Sequence, residues 1–291
     1  MDLVTILTPT YNRVETLPKL YNSLCAQTNK KFKWLVVDDG SQDGTKEFIS
    51  KISSEDKIDI EYVYQENKGK HFALNNGIKR VNTTLTFIVD SDDVLTKDAI
   101  ESIEREWQPY NFDQTISGIT FLRGYSEDKC IGDRFPDTNA CGYIDMRIKR
   151  NVSGDKAEVF RTDLLKQYPF PQIEGEKFIG EDIVWNDIAK HYKMAWCNQI
   201  IYITEYLEGG LTKSGRSLRV HCPIGGMLNS KMMLTHEFPM KFRIKKGILY
   251  NCYRYFMKKE DRKKYPYYIS FPSLVTKPLG FGLYLAWKKY E

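Results

Sequence analysis

The stretch Leu85-Thr86-Phe87-Ile88-Val89-Asp90-Ser91-Asp92-Asp93 decides how the rest of the chain is read. Leu85 to Val89 are apolar or β-branched, the pattern of a short buried strand, and the chain then turns abruptly acidic. Two carboxylates one residue apart at a strand end, with a third adjacent, repel one another in a dry site. A bound Mg²⁺ or Mn²⁺ turns that crowding into attraction. Such ions take one or two carboxylates and complete their shell with water and substrate phosphates. The stretch therefore reads in one of two ways: as a divalent-cation site for a nucleotide diphosphate, or as a solvated Asp-rich turn capping the helix that starts near Thr96.

The flanking sequence favours the first. Leu3 to Thr8 form a first strand, stopped by Pro9, and a helical pattern with Leu17, Leu20, Tyr21 and Leu24 follows Thr10-Tyr11-Asn12-Arg13. Lys33 to Val37 form a second strand closed by Asp38-Asp39-Gly40-Ser41, and Asp43 or Gly44 opens the next helix. Ile58 to Tyr64 alternate as a third strand. After Asn67-Lys68-Gly69-Lys70 a helix runs to about Val81 and leads into Leu85–Val89. Strands alternating with helices predict an α/β fold with a parallel sheet, and ligands of such sheets bind beyond the carboxyl ends of the strands. That rule gathers Pro9, Thr10, Tyr11, Asp38, Asp39, residues 68–71 and Asp90 to Asp93 onto one rim.

Beyond a helix over Thr96–Trp107 the alternation fades. Ile116 to Phe121 read as a strand, and residues 124–150 as loop-rich and charged. Gly180-Glu181-Asp182 precede a short amphipathic helix, and Met194 to Tyr206 read as strand-like. Residues 208–214 are a glycine-bearing segment of the kind that folds over a ligand. The six cysteines show neither C-x-x-C nor zinc spacing and read as reduced thiols, mostly buried. His71, His191, His221 and His236 are not spaced as a metal set, although His71 lies beside residues 67–70 on the same rim and within reach of a phosphate. Trp185 and Trp196 could serve as sugar-stacking platforms or as core residues. Neither a Walker A pattern nor a complete G-x-G-x-x-G is present, which argues against a P-loop kinase and a dinucleotide dehydrogenase.

The motifs T-I-L-T-P-T-Y-N-R (5–13), W-L-V-V-D-D-G-S-Q-D-G-T (34–45), N-K-G-K-H-F-A-L-N-N-G-I (67–78), F-I-V-D-S-D-D (87–93) and G-E-D (180–182) stand in the order and at the intervals of a known family. In this the chain resembles the family 2 glycosyltransferases of the GT-A fold, particularly bacterial enzymes of capsular and exopolysaccharide synthesis. The resemblance covers residues 1 to about 215 and implies a Rossmann-like mixed sheet with a helical tail. It implies a catalytic domain over 1–224, with a nucleotide-binding half at 1–107 and an acceptor-binding half at 108–224, followed by a helical region over 225–291. It further implies metal-dependent, inverting transfer from a nucleotide sugar, UDP-linked, to a glycan or polyprenyl-linked acceptor, with Mn²⁺ or Mg²⁺ as cofactor.

By the same resemblance Pro9, Thr10 and Tyr11 hold uracil and ribose, and Asp39 takes the uracil N–H, with Asp38 structural. Asp90 and Ser91 lie near the ribose or the metal, Asp92 is the main metal ligand, and Asp93 stands beside it. Lys70 either offers a cation to the diphosphate or is solvated. Asp182 is the base that takes the acceptor's proton, with Glu181 as the fallback. The plain alternative for that pair is an acidic helix start with no chemistry.

At 291 residues, with 42% hydrophobic and 28% charged residues, the chain has an ordinary soluble composition and ample core. No basic, apolar leader opens it, so a cytoplasmic location is expected. The net charge of +5 hides an asymmetry. Residues 241–291 hold 13 Lys/Arg against 3 Asp/Glu, a local balance of +10, together with 13 of the 39 aromatics. The remaining 240 residues carry 30 basic and 35 acidic side chains, a balance of −5. A basic, aromatic tail suits peripheral contact with the inner, anionic face of a membrane; a helical cap or a homo-oligomer contact is the other reading. Two rival functions are weaker. A nucleotidyltransferase opens with a glycine-rich basic loop that Pro9-Thr10-Tyr11-Asn12 is not. A nucleic-acid binder would leave the acidic rim without a purpose, so no nucleic-acid partner is expected.

Overall fold

Apolar, β-branched runs build four parallel strands, β1 (Val4–Thr10), β2 (Phe32–Asp38), β3 (Asp59–Tyr64) and β4 (Leu85–Ile88), in the order β3-β2-β1-β4. Helices α1 (Leu17–Cys25), α2 (Thr45–Ser53) and α3 (Lys70–Arg80) connect them. β1 and β4 are buried along their whole length, which is why they read as continuous rather than alternating runs. The computed structural model describes residues 3–204 and 215–290, so the predicted 208–214 loop lies outside the described residues.

Pro9 does not stop β1. The strand continues to Thr10, with Pro9 opposite Val37 and Thr10 opposite Asp38. The Thr10 carbonyl accepts from the Asp39 N–H and the Leu7 carbonyl from the Val89 N–H, so the backbone of Leu7 faces β4 and that of Thr10 faces β2. By alternation the Pro9 nitrogen faces the β4 side, beyond the last β4 pair at Leu7, where no ladder donor is needed.

The chain then adds β5 (Val94–Leu95), α4 (Ala99–Trp107), β6 (Ile116–Gly124), β7 (Cys141–Gly142), β8 (Lys156–Arg161), α5 (Thr162–Gln167), α6 (Asp182–Ile188) and β9 (Lys193–Ile203). The sheet order is β3-β2-β1-β4-β8-β6-β9-β5, with β7 on β9. β8 is antiparallel to both β4 and β6, while β6 and β9 run parallel. The purely parallel sheet read from the alternation thus ends at β4, and the whole is the mixed sheet that the resemblance implies. Its core gathers Leu20, Trp34, Ile49, Phe87, Ile103 and Phe121. Trp196 packs on Phe135 with ring centres 4.9 Å apart and Trp185 on Phe170 at 5.9 Å; both are buried, so neither is a sugar platform. The six cysteines are free, but only Cys222 and Cys252 are fully buried.

The chain divides into two compact units, residues 1–169 with 191–205, and residues 170–190 with 206–291. The second holds α6 together with α7 (Gly215–His221), α8 (Pro223–Met232), α9 (Met240–Phe256), α10 (Lys259–Lys264), α11 (Phe271–Val275) and α12 (Lys277–Trp287). α9 is its axis. α12 lies on α9 through Gly280, where a Cβ would come 2.4 Å from the Cβ of Asn251, and through the Phe256–Tyr284 ring contact at 4.7 Å.

β6 and β8 meet closely at Gly118, where a Cβ would stand 2.1 Å from the Val159 carbonyl oxygen, a backbone atom that cannot step aside. Gly118→Ala is expected to destabilise the protein by about 1–3 kcal/mol or more through overpacking, read as a lowered midpoint in urea unfolding. An unchanged midpoint would contradict this strand pairing.

Candidate functional site

The first unit carries an acidic rim at the carboxyl ends of β1, β2 and β4. Asp90, Ser91, Asp92 and Asp93 follow β4, and each carboxylate has a different partner. Asp90 takes an ion pair from Lys70, in the first turn of α3, at 2.5 Å, with Arg123 at 3.9 Å. Burial pushes the Asp90 carboxyl up, but Lys70 and Arg123 outweigh it and hold it below its ordinary value. Asp93 is buried, accepts the Tyr202 hydroxyl proton at 2.7 Å and lies 3.8 Å from Arg123. Burial, followed by the Asp90 charge, pushes the Asp93 carboxyl up to about 7. Tyr202 also accepts the Asp90 N–H at 2.9 Å, and the Arg123 guanidinium lies 3.9 Å over its ring. Asp92 is the least engaged. Its carboxylate is about as exposed as that of Asp90, but its ion pair, to Arg13, is a long 3.7 Å.

Among the described residues no group of three or more His, Cys, Asp or Glu side chains converges as a ready ligand set. A Mg²⁺- or Mn²⁺-type site does not require one, since these ions are held by one or two carboxylates plus water and phosphate. The loosely paired Asp92 carboxylate fits that demand; Asp90 and Asp93, engaged elsewhere, shape the loop beneath it.

Next to this loop, Asp39 is buried and its carboxylate secures the chain before α3. It accepts the Gln65 side-chain N–H at 2.7 Å and the backbone N–H groups of Lys68 at 3.0 Å and Gly69 at 2.7 Å. Its Oδ2 takes one of these three and keeps acceptor capacity. Asp38, fully buried, accepts the Ser41 N–H and the Tyr62 hydroxyl, a structural use. At the end of β1, Thr10 is buried with its hydroxyl oxygen unpartnered, whereas Tyr11 is half exposed. The Asn67 side-chain oxygen and both ring nitrogens of His71 are likewise buried without partners among the described residues. Three polar side chains left unsatisfied on one rim mark a place built to receive polar atoms. His71 itself is no phosphate cation: burial lowers its imidazole to about 4, against a weaker opposite pull from Asp39.

Glu181 and Asp182 belong to the second unit. Asp182 opens α6 and its Oδ1 accepts a hydrogen bond from the Asn229 amide at 2.7 Å. A Cβ at residue 180 would lie 2.6 Å from that Oδ1, so Gly180 leaves room for the carboxylate. Asp182 borders a cavity of about 100 Å³ formed within this unit. Arg123, Tyr202 and Asn229 escape a sequence reading because no local motif marks them. Arg13 stands inside the quoted T-Y-N-R stretch and could have been found there.

The depressed imidazole of His71 carries a pH signature. Its folded value of about 4 lies below the ordinary 6.5, so the folded chain binds fewer protons than the unfolded chain between those values. Stability is therefore lost as pH falls from 6.5 towards 4, by about 1.4 kcal/mol per pH unit from this group. His71→Phe should flatten that part of the stability curve; parallel wild-type and variant curves would contradict it.

Comparison with known proteins agrees with the fold. Residues 5–135 match the family model described as glycosyl transferase family 2. Glycosyltransferase GlyA of Streptococcus pneumoniae is 34% identical over 222 residues, which are 75% of this chain and 31% of GlyA. The chain thus spans about a third of that relative's length. The crystal structure of S. aureus TarS 1-349 in complex with UDP-GlcNAc shares the fold, with a TM-score of 0.65 at 18% identity over 99% of this chain and 81% of that one. The mannosyltransferase PcManGT from Pyrobaculum calidifontis, in complex with GDP-Man and Mn²⁺, gives 0.58 at 15% identity over 99% and 82%. Residues 5–135 thus form a family 2 glycosyltransferase domain, on the GT-A fold.

Proposed function

We propose that the chain moves a hexose or N-acetylhexosamine from a UDP-sugar to a glycan or polyprenyl-linked acceptor in bacterial surface polysaccharide synthesis, with inversion at C1. The observation that carries this reading is the rim of the first unit. There a loosely paired carboxylate, Asp92, lies among basic side chains on the same strand ends as the unsatisfied Thr10 hydroxyl. UDP as the carrier draws support from TarS, solved with UDP-GlcNAc.

In this reading Pro9, Thr10 and Tyr11 receive base and ribose, and the spare acceptor capacity of Asp39 Oδ2 takes the uracil N–H. Asp92 holds Mn²⁺ or Mg²⁺, with Asp90 and Asp93 behind it. When bound, that ion supplies positive charge to the departing diphosphate. Lys70 adds charge at the same edge, and Asp90 and Ser91 set the loop against the ribose. Asp182 accepts the proton of the acceptor hydroxyl as its oxygen bonds to C1 and the bond from C1 to the diphosphate oxygen breaks. Asn229 holds one carboxylate oxygen of Asp182 and leaves the other for that proton. Glu181 is the alternative base.

Nucleotide release from a panel of UDP-, GDP- and dTDP-sugars with Mn²⁺ tests the reading. Asp92→Ala should abolish metal-dependent release. Asp182→Asn should bind donor as the wild type does yet lose transfer about 10²- to 10⁴-fold once an acceptor is supplied. Indifference of the wild type to every nucleotide sugar with metal would overturn the assignment.

A second observation favours peripheral membrane contact. No helix among the described residues is long and apolar enough to cross a bilayer. Yet Phe271, Leu274 and Val275 are exposed at helical spacing on α11, and Leu279, Phe281 and Leu285 are exposed on α12. Residues 262–290 contain no acidic side chain and six basic ones. An apolar stripe flanked only by cations suits the interface of an anionic bilayer. In flotation with anionic vesicles, the double variant Phe271→Asp, Leu279→Asp should lose at least tenfold in bound fraction; recovery equal to wild type would refute membrane insertion by this face.

A further inference from the structure

The cavity beside Asp182 is lined from three other helices of the second unit: Arg219 on α7, Asn229 and Ser230 on α8, Lys246 and Tyr253 on α9. Asp182 is its one acidic lining residue, against two cations. The Lys246 ammonium lies 5.3 Å from the centre of the Phe242 ring, and neither Lys246 nor Arg219 makes an ion pair among the described residues. Asp182 has one oxygen committed to Asn229. Burial, and then the charges of Lys245 and Arg219, lower the Lys246 ammonium, while Asp182 pulls the other way. Two cations within electrostatic reach of each other in a recess with one carboxylate leave a net positive charge. Arg219 and Asp182 reach solvent and Lys246 is half-buried, so this excess of positive charge is open to an anion from solution.

The size of the cavity limits the guest. At about 100 Å³ it is well below the roughly 300–1,000 Å³ of a drug-sized ligand site, so a sugar nucleotide does not fit. A single oxyanion head does. Arginine presents a planar fork that matches phosphate oxygens and lysine a mobile point charge, a pairing suited to phosphate.

We propose that the acceptor of this enzyme carries a phosphate ester, and that Arg219 and Lys246 seat that phosphate beside Asp182. This rests on the reading of Asp182 as the base of glycosyl transfer and narrows the acceptor to a phosphorylated glycan or carrier. The phosphate would fix one end of the acceptor, and a hydroxyl near it would meet the free carboxylate oxygen of Asp182.

The test is calorimetric titration of the full chain with methyl phosphate while the donor site is saturated with UDP and Mg²⁺, so that phosphate cannot report on the wrong site. Saturable binding is expected, weakened at least tenfold by Arg219→Gln and by Lys246→Gln and retained in Lys246→Arg. Lys241→Gln, on the same helix but not on the cavity, should leave it unchanged. Thermal melts of each variant separate lost binding from lost folding. No binding to the wild type, equal binding to all variants, or acetate binding as tightly as methyl phosphate would each overturn the proposal. Release of UDP from a UDP-sugar by the wild type, measured alongside, keeps the two readings apart. If release occurs without phosphate binding, the acceptor assignment alone falls.

Discussion

Three carboxylates on one loop are tolerable only because three cations reach them from distant parts of the chain. Arg13 comes from the loop after β1, Lys70 from the start of α3 and Arg123 from the end of β6. Of these pairs only that of Arg123 with Asp93 is largely buried on both sides, and breaking a buried pair costs about 3–5 kcal/mol, a large share of a domain's net stability. The loop after β4 is therefore set by long-range pairing more than by its own sequence. Arg123 shows this best: it is largely buried, lies over the Tyr202 ring, and is shared between Asp90 and Asp93. The balance is uneven, and its weakest pair leaves Asp92 open. An acidic loop that was fully neutralised would have no affinity left for a cation; one left bare would not fold.

The half of the fold that is built locally could be read from the sequence. β1 to β4 and α1 to α3 follow from apolar runs, helical spacing and glycine-bearing turns, because each strand and its return helix are consecutive in the chain. β8 could not be read in the same way. Lys156-Ala157-Glu158-Val159-Phe160-Arg161 is short and carries three charges, and it becomes a central strand only because β4 and β6 offer it edges on both sides. Lys156 illustrates the cost and its remedy. It is buried, yet its ammonium donates to the carbonyls of Ile131, Asp133 and Ser153.

The candidate site divides along the same line. The residues that lie in strand-end motifs, Thr10, Asp39 and Asp90 to Asp93, could be named from the sequence. Their partners could not: Tyr202 is 109 positions from Asp93, and Asn229 is 47 from Asp182. A motif shows that a side chain is placed at a strand end, but not which distant group satisfies it. Pro9 is the converse case, a residue whose local meaning, a strand stop, was overridden by the side of the sheet it faces.

The second unit has its own tie. Glu176 accepts the backbone N–H groups of Ile224 and Gly225 at the start of α8, each at 2.5 Å. It thereby joins the Asp182 segment to the helix that carries Asn229. Because residues 170–190 belong with 206–291, the chain crosses between its two units three times rather than once. A cut at any single point after β9 would strand Asp182 and its helix without the partners that shape them. Exchange of the second unit between related chains therefore cannot proceed by swapping one terminal block; it requires replacing two separated segments together.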